Sequence, residues 1–275
     1  MSLSLVDDVQ AQLDTDWVGR SMRGFETVGS TNTAAAEWAR EGAPDGSTVV
    51  AEYQSDGRGR HGRTWAAQKG RNLVFSVVLR PALAPDRLGL ITIAAGVAAA
   101  EAVDAFATGH RAALKWPNDV LLEGRKTCGM LLEASISRTQ TAQAVAAEDS
   151  TVVVLGVGLN VNQTDFPDAL ADTATSLRLT TGRAVPRAPL LARLLRRLEA
   201  RIDAVQSRQE AEAAPVRAAF QDRLVHLGDA ITLRASDTSE TIRGVVQGIT
   251  ETGALRLDTP DGPTVVHAGD VTSHV

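Results

Sequence analysis

A chain of 275 residues, 44% of them hydrophobic, can bury a full core as one large domain or as a large and a small one. Its net charge of -5 argues against broad nucleic-acid affinity, which rests on neutralising phosphates. The single cysteine, Cys128, forbids an intramolecular disulfide; with no run of about 18 apolar residues and no basic-then-apolar start, a cytoplasmic protein with no membrane partner is expected.

Residues 1–23 place Leu3, Leu5, Val6, Val9 and Leu13 at spacings that suit a short helix, and are too few for a winged helix-turn-helix. Residues 24–29 read as a short strand. Ser30, Thr31 and Asn32 then open a helix to about Arg40, where a hydroxyl can cap the first-turn amides. Pro44-Asp45-Gly46 is a turn, and the β-branched run 47–53 is a central strand. A glycine- and arginine-rich loop follows, then a strand at 72–80 and a long buried helix at 85–107. Residues 112–120 read as a strand interrupted by Pro117, which makes Lys115, Asn118 and Asp119 project around a kink. A hairpin at 121–125 and a return strand at 126–135 bring Lys126 back towards Asp119.

Residues 139–150 are weakly patterned, a surface hairpin connection, and 151–161 form an apolar strand that ends in Asn160. The segment 167–181 is irregular, with Thr175-Ser176-Leu177 leading into a helix. An amphipathic helix occupies 189–206 and a second one 210–224, with Pro215 as a candidate break. From Gly228 the texture changes to short strands at 231–235, 241–249, 254–258 and 263–267, which read as a small SH3-like barrel. The expected class is α+β, with a boundary near residue 224: one domain at 1–224 and the small barrel at 225–275.

The most informative stretch is Gln54-Ser55-Asp56-Gly57-Arg58-Gly59-Arg60-His61-Gly62-Arg63-Thr64-Trp65. Its glycines permit close backbone approach, its arginines offer planar donors to phosphate or carboxylate, and Trp65 offers a flat surface for a ring. On its own it reads as a clamp for an anionic, partly aromatic ligand, or as a solvated arginine-rich loop or an RNA-binding patch. Further on stand Lys115-Trp116-Pro117-Asn118-Asp119, then Gly124-Arg125-Lys126 leading to Gly129, and Gly156-Val157-Gly158-Leu159-Asn160. Of 28 basic residues only Lys69, Lys115 and Lys126 are lysines, so two of the three fall in these motifs.

In this order, with Ser30-Thr31-Asn32 upstream, the set resembles the biotin–protein ligases over roughly residues 24–275. The resemblance implies a class II synthetase-like catalytic domain built on a mixed sheet flanked by helices. It implies that biotin is activated by ATP to biotinyl-5′-AMP and passed to a lysine on the biotin carboxyl carrier domain of an acyl-CoA carboxylase, with Mg²⁺ carried mainly on the ATP phosphates. By resemblance, Ser30, Thr31, Asn32, Gln54, Arg58, Gly59, Arg60 and Lys115 bind biotin. Arg60, Arg63, Trp65, Asn118, Lys126 and Asn160 bind ATP, and Lys115, Asp119 and Arg60 are catalytic, with Asp119 orienting or deprotonating the acceptor amine. Some members repress transcription through an N-terminal winged helix; residues 1–23 are too short for one, so no regulatory role is expected. A monomer or weak homodimer is expected.

Two positions depart from the family pattern: Asp56 adds a negative charge beside the clamp, and Cys128 stands where alanine is frequent. The alternatives are a lipoate–protein ligase, whose Arg-Arg-Gly-Gly-Gly segment is absent, and a non-catalytic RNA-binding module, for which 4% aromatic residues leave little stacking surface.

Overall fold

A computed structural model describes residues 3–136, 151–207, 209–236 and 240–274. The sheet that carries the site has seven strands, β1 (Met22–Phe25), β2 (Thr48–Ala51), β3 (Leu73–Leu79), β4 (Ala113–Lys115), β5 (Asp119–Leu122), β6 (Arg125–Ile136) and β7 (Thr151–Leu159), in the order β1-β2-β3-β7-β6-β5-β4. β1 and β2 are parallel and the other neighbours antiparallel, so the sheet is mixed.

Alternation divides its side chains between two faces. Val49, Val78 and Val154 pack with Ala35 and Trp38 of helix α2 (Thr31–Arg40). Their neighbours Val50, Val77, Val153 and Leu155 join the larger cluster beneath α3 (Gly89–Phe106), α5 (Arg187–Gln206) and α6 (Glu210–Gln221). Burial on both faces explains why β3 is apolar throughout apart from Ser76. Two short helices complete this part, α1 (Ser4–Gln10) and α4 (Leu177–Thr181), the latter capped by Ser176 Oγ, which accepts from the Leu179 amide.

The second sheet holds β8 (Ala230–Ala235), β9 (Thr241–Ile249), β10 (Leu255–Thr259), β11 (Gly262–Val266) and β12 (Gly269–His274), antiparallel in the order β11-β10-β9-β8-β12. Among the described residues β11 and β12 do not pair, so this is an open antiparallel sheet rather than a closed barrel. β12, whose Asp-Val-Thr-Ser-His run has a weak alternating pattern, goes beyond the four strands expected.

Other expectations are corrected. The first strand begins at Met22 and ends at Phe25, earlier than the expected 24–29. Residues 112–120 are not one kinked strand: β4 and β5 are antiparallel and Trp116-Pro117-Asn118 is the turn between them, with Lys115 opposite Asp119. Pro215 lies inside α6 without ending it, because Ala213, Val216 and Phe220 bury that helix against its neighbours. An 18-residue window within Pro85–Phe106 has a mean hydropathy of 1.6, which makes this helix long and apolar enough to cross a membrane although Glu101 and Asp104 interrupt its apolar run; most of that window is buried in this core. The connection expected at 139–150 lies outside the described residues.

Candidate active site

On the α2 face, β6 and β7 run past the end of that helix, and the uncovered floor is made of glycine. Gly129 pairs with Gly158, and Gly156 pairs with Leu131 on one side and Ser76 on the other. These small residues leave a cavity of about 710 Å³. All fourteen residues singled out from the sequence line it: Ser30, Thr31, Asn32, Gln54, Arg58, Gly59, Arg60, Arg63, Trp65, Lys115, Asn118, Asp119, Lys126 and Asn160.

One end is neutral and polar. Ser30 is the N-cap residue of α2, yet its hydroxyl makes no capping bond and stays on the cavity wall. Gln54 Oε1 accepts from Thr31 N at 2.7 Å and Thr31 Oγ1 at 2.9 Å. Ser76 Oγ lies 2.7 Å from Thr31 Oγ1 and 2.6 Å from Asn32 Oδ1, while Asn32 Nδ2 donates to Glu133 Oε2 at 2.6 Å.

The middle is cationic. The glycine-rich loop folds back on itself: Gly59 N donates to Arg63 O at 2.6 Å, Trp65 N to Gly57 O at 2.8 Å, and His61 and Gly62 turn the chain at φ 54° and 71°. Arg58 donates to Thr33 Oγ1 at 2.8 Å. Arg60 donates to Asn118 Oδ1 at 3.1 Å and to Gly269 O at 3.2 Å, and pairs with Asp270 at 3.3 Å. Arg63 reaches the other oxygen of Asp270 at 2.7 Å. Burial pulls the Arg60 guanidinium below its ordinary value, and Asp270 and Asp119 oppose that. The ammonium of Lys115, opposite Asp119 across the β4–β5 turn, has no hydrogen bond or salt bridge among the described residues. Asp119 instead pairs with Lys126 at 2.6 Å, as the hairpin predicted. Arg58, Arg60, Arg63, Lys115 and Lys126 face Asp119, Asp172 and Asp270, an excess of positive charge inside an acidic chain.

The other end is flat and apolar with fixed polar points. Trp65 lies on Gly158, and the Lys126 ammonium sits 5.7 Å from the centre of its ring. Asn160 is buried; its Nδ2 donates to Thr175 O at 3.1 Å, leaving Oδ1 without a partner among the described residues. Segment 166–174 closes this end through Phe166, Leu170 and Thr173, with Thr173 O accepting from Lys126 N at 2.8 Å.

Asp56 is exposed and lies off the cavity lining, so its charge does not face the clamp. Burial pushes the Cys128 thiol up to about 12, which removes it as a nucleophile at neutral pH. Sequence reasoning missed Ser76, Glu133 and Asp270. Ser76 stands out only as the polar residue of an otherwise apolar strand, Glu133 is one of several polar residues of β6, and Asp270 gave no local signal.

Two family models match the chain: the biotin/lipoate A/B protein ligase family over residues 24–159, and the biotin protein ligase C terminal domain over 226–272. The chain is 38% identical over 261 residues to the biotin–[acetyl-CoA-carboxylase] ligase of Mycobacterium tuberculosis, covering 92% of this chain and 90% of that protein. The chain belongs to the biotin protein ligase family. The ligase is also 32% identical over 268 residues to a bifunctional ligase/repressor of Bacillus spizizenii, covering 96% of this chain and 77% of that one. A solved biotin protein ligase from Aquifex aeolicus in complex with biotin and ATP superposes with a TM-score of 0.76 at 27% identity, covering 92% of this chain and 98% of that one.

Proposed function

We propose that the cavity of this biotin–protein ligase holds biotin at its polar end, the adenylate phosphate in its cationic middle and the nucleotide against Trp65. The observation that carries this reading is the order of the lining: neutral donors and acceptors, then cations, then a flat ring, along one continuous cavity. A ureido ring is matched by hydroxyl and amide groups, and two anions that must meet are matched by fixed cations.

In the first step a biotin carboxylate oxygen attacks the α-phosphorus of ATP, the bond to the bridging oxygen breaks, and pyrophosphate leaves with the electron pair. Lys115, whose ammonium has no partner among the described residues, is the cation available to carboxylate and α-phosphate oxygens, while Arg60 and Arg63 are already oriented towards the same space. Mg²⁺ enters as part of the MgATP substrate and neutralises the departing phosphates. In the second step the acceptor lysine amine attacks the carbonyl carbon of the mixed anhydride, the bond to AMP breaks, and a proton leaves the nitrogen. Asp119 is the carboxylate placed beside Lys115 to orient that amine or take that proton. The acceptor is the biotin carboxyl carrier domain of an acyl-CoA carboxylase. Residues 1–224 carry the chemistry and 225–275 supply Asp270 to the clamp. The setting that goes with this reading is cytoplasmic, without membrane, as a monomer or weak homodimer, and without nucleic acid, the last supported by the net charge of -5.

The test is exchange of labelled pyrophosphate into ATP with Mg²⁺ and no acceptor. Biotin should support exchange, lipoate and octanoate should not, and Lys115→Ala should lower the rate by roughly 10²–10³. Exchange with lipoate but not biotin would replace the reading with a lipoate ligase.

A further inference from the structure

The hydroxyl chain at the polar end holds fewer protons than it has short contacts. Three oxygen–oxygen contacts run in series: Gln54 Oε1 to Thr31 Oγ1 at 2.9 Å, Thr31 Oγ1 to Ser76 Oγ at 2.7 Å, and Ser76 Oγ to Asn32 Oδ1 at 2.6 Å. Each requires a proton, and the two hydroxyls supply one each. Turning either terminal amide round would supply the third, but both are held. The Gln54 oxygen also accepts from the Thr31 amide at 2.7 Å, so a turned Gln54 would set N–H against N–H. The Asn32 amide is fixed from outside, where Nδ2 donates to Glu133 Oε2 at 2.6 Å and weakly to Leu131 O at 3.5 Å. Asn32 is buried, and Gly156 beneath it leaves the room it occupies: a Cβ there would lie 2.2 Å from Asn32 Oδ1.

We infer that Glu133 is a positioning residue: by holding the Asn32 amide with its oxygen inward, it keeps this buried chain one donor short, so that the site selects a ligand whose ring brings an N–H. The inference rests on the reading that biotin occupies this end, and assigns Glu133 and Ser76 a part in choosing it. Asn32 then acts through Ser76 rather than on the ring. Glu133 itself is exposed, so replacing it leaves the core intact.

The experiment is pyrophosphate exchange by the full chain with biotin and with two analogues in which one ring N–H or the other is replaced by oxygen. The enzymes compared are the parent, Glu133→Leu and Glu133→Gln. Leucine frees the Asn32 amide to turn and donate inward, whereas glutamine keeps an acceptor for Asn32 Nδ2. Glu133→Leu should raise the KM for biotin about tenfold, with kcat and the KM for ATP within about twofold of the parent. Its preference for biotin over the analogue that lacks the inward N–H should shrink by about the same factor. Glu133→Gln should restore both to near the parental values. Unchanged biotin KM and unchanged preference in Glu133→Leu would overturn the inference, as would equal losses in both variants, which would make the carboxylate's charge the cause. Failure of the parent to exchange with biotin would instead overturn the functional reading, and the inference with it.

Discussion

Gly158 shows how little room the cavity floor leaves for a side chain. A Cβ there would lie 2.4 Å from Trp65 Cε2 and 2.6 Å from Cζ2, and an indole ring cannot yield by bending. Gly158→Ala should therefore displace Trp65 from its seat and raise the KM for ATP about tenfold, while leaving the KM for biotin within about threefold. Steady-state exchange kinetics with each substrate varied in turn would check this, and an unchanged KM for ATP would remove Trp65 from the nucleotide end. At this scale the cavity lining was legible where residue types stood out: a lysine near an aspartate, arginines among glycines, an asparagine at a strand end. Ser76 and Glu133 were not, because their contacts with Asn32 span 44 and 101 positions of sequence and exist only once β3, β6 and β7 are in register.

Among the elements, the glycine-rich loop depends most on a distant partner. It closes on itself through Arg58 and Thr64, but its arginines are held from β12, where Asp270 meets both Arg60 and Arg63. A half-buried guanidinium needs such a carboxylate more than an exposed one does, since burial already opposes its charge. Asp270→Ala should leave adenylate formation intact yet let the intermediate escape about tenfold faster, the direction also expected of Arg60→Gly. Release of labelled adenylate from the isolated complex would measure it; parental retention would mean that the loop holds its ligand without the second sheet. The part of any stability loss that comes from the Arg63 pair should be small, because Arg63 is largely exposed and such pairs contribute at most about 1 kcal/mol. The sequence marked this loop as the clamp but could not show its tether, because Asp270 lies 210 positions from Arg60 in a strand with little hydrophobic pattern.

At the scale of the whole molecule, elements with a strong period were legible almost to the residue, among them α2, β3, β7 and β9. What escaped was set by pairing rather than pattern: the β4–β5 reversal at Trp116–Asn118, the open second sheet and its last strand. The attachment of the N-terminal segment was equally invisible. Glu199 on α5 accepts the amides of Asp16, Trp17 and Val18 at 2.9, 2.8 and 2.8 Å, and Asp203, one turn further on, accepts from Trp17 Nε1 at 3.1 Å. Partial desolvation of the otherwise exposed Asp203 side chain, reinforced by the nearby Glu199, Asp16 and Asp45 carboxylates, pushes its carboxyl above its ordinary value. A carboxyl whose value is higher folded than unfolded opposes folding when charged, an effect present above the folded value and gone once the pH falls below the unfolded value of 3.8. Asp203→Asn removes that charge and keeps an oxygen for Trp17. The variant should melt at a higher temperature than the parent at pH 7, by at most about 2 °C, with the gain shrinking as the pH is lowered towards 4. Thermal unfolding of both proteins across that range would check it. A lower melting temperature at pH 7 would mean that the charged carboxylate strengthens the Trp17 bond by more than its desolvation costs, and a gain independent of pH would place the cause outside its titration.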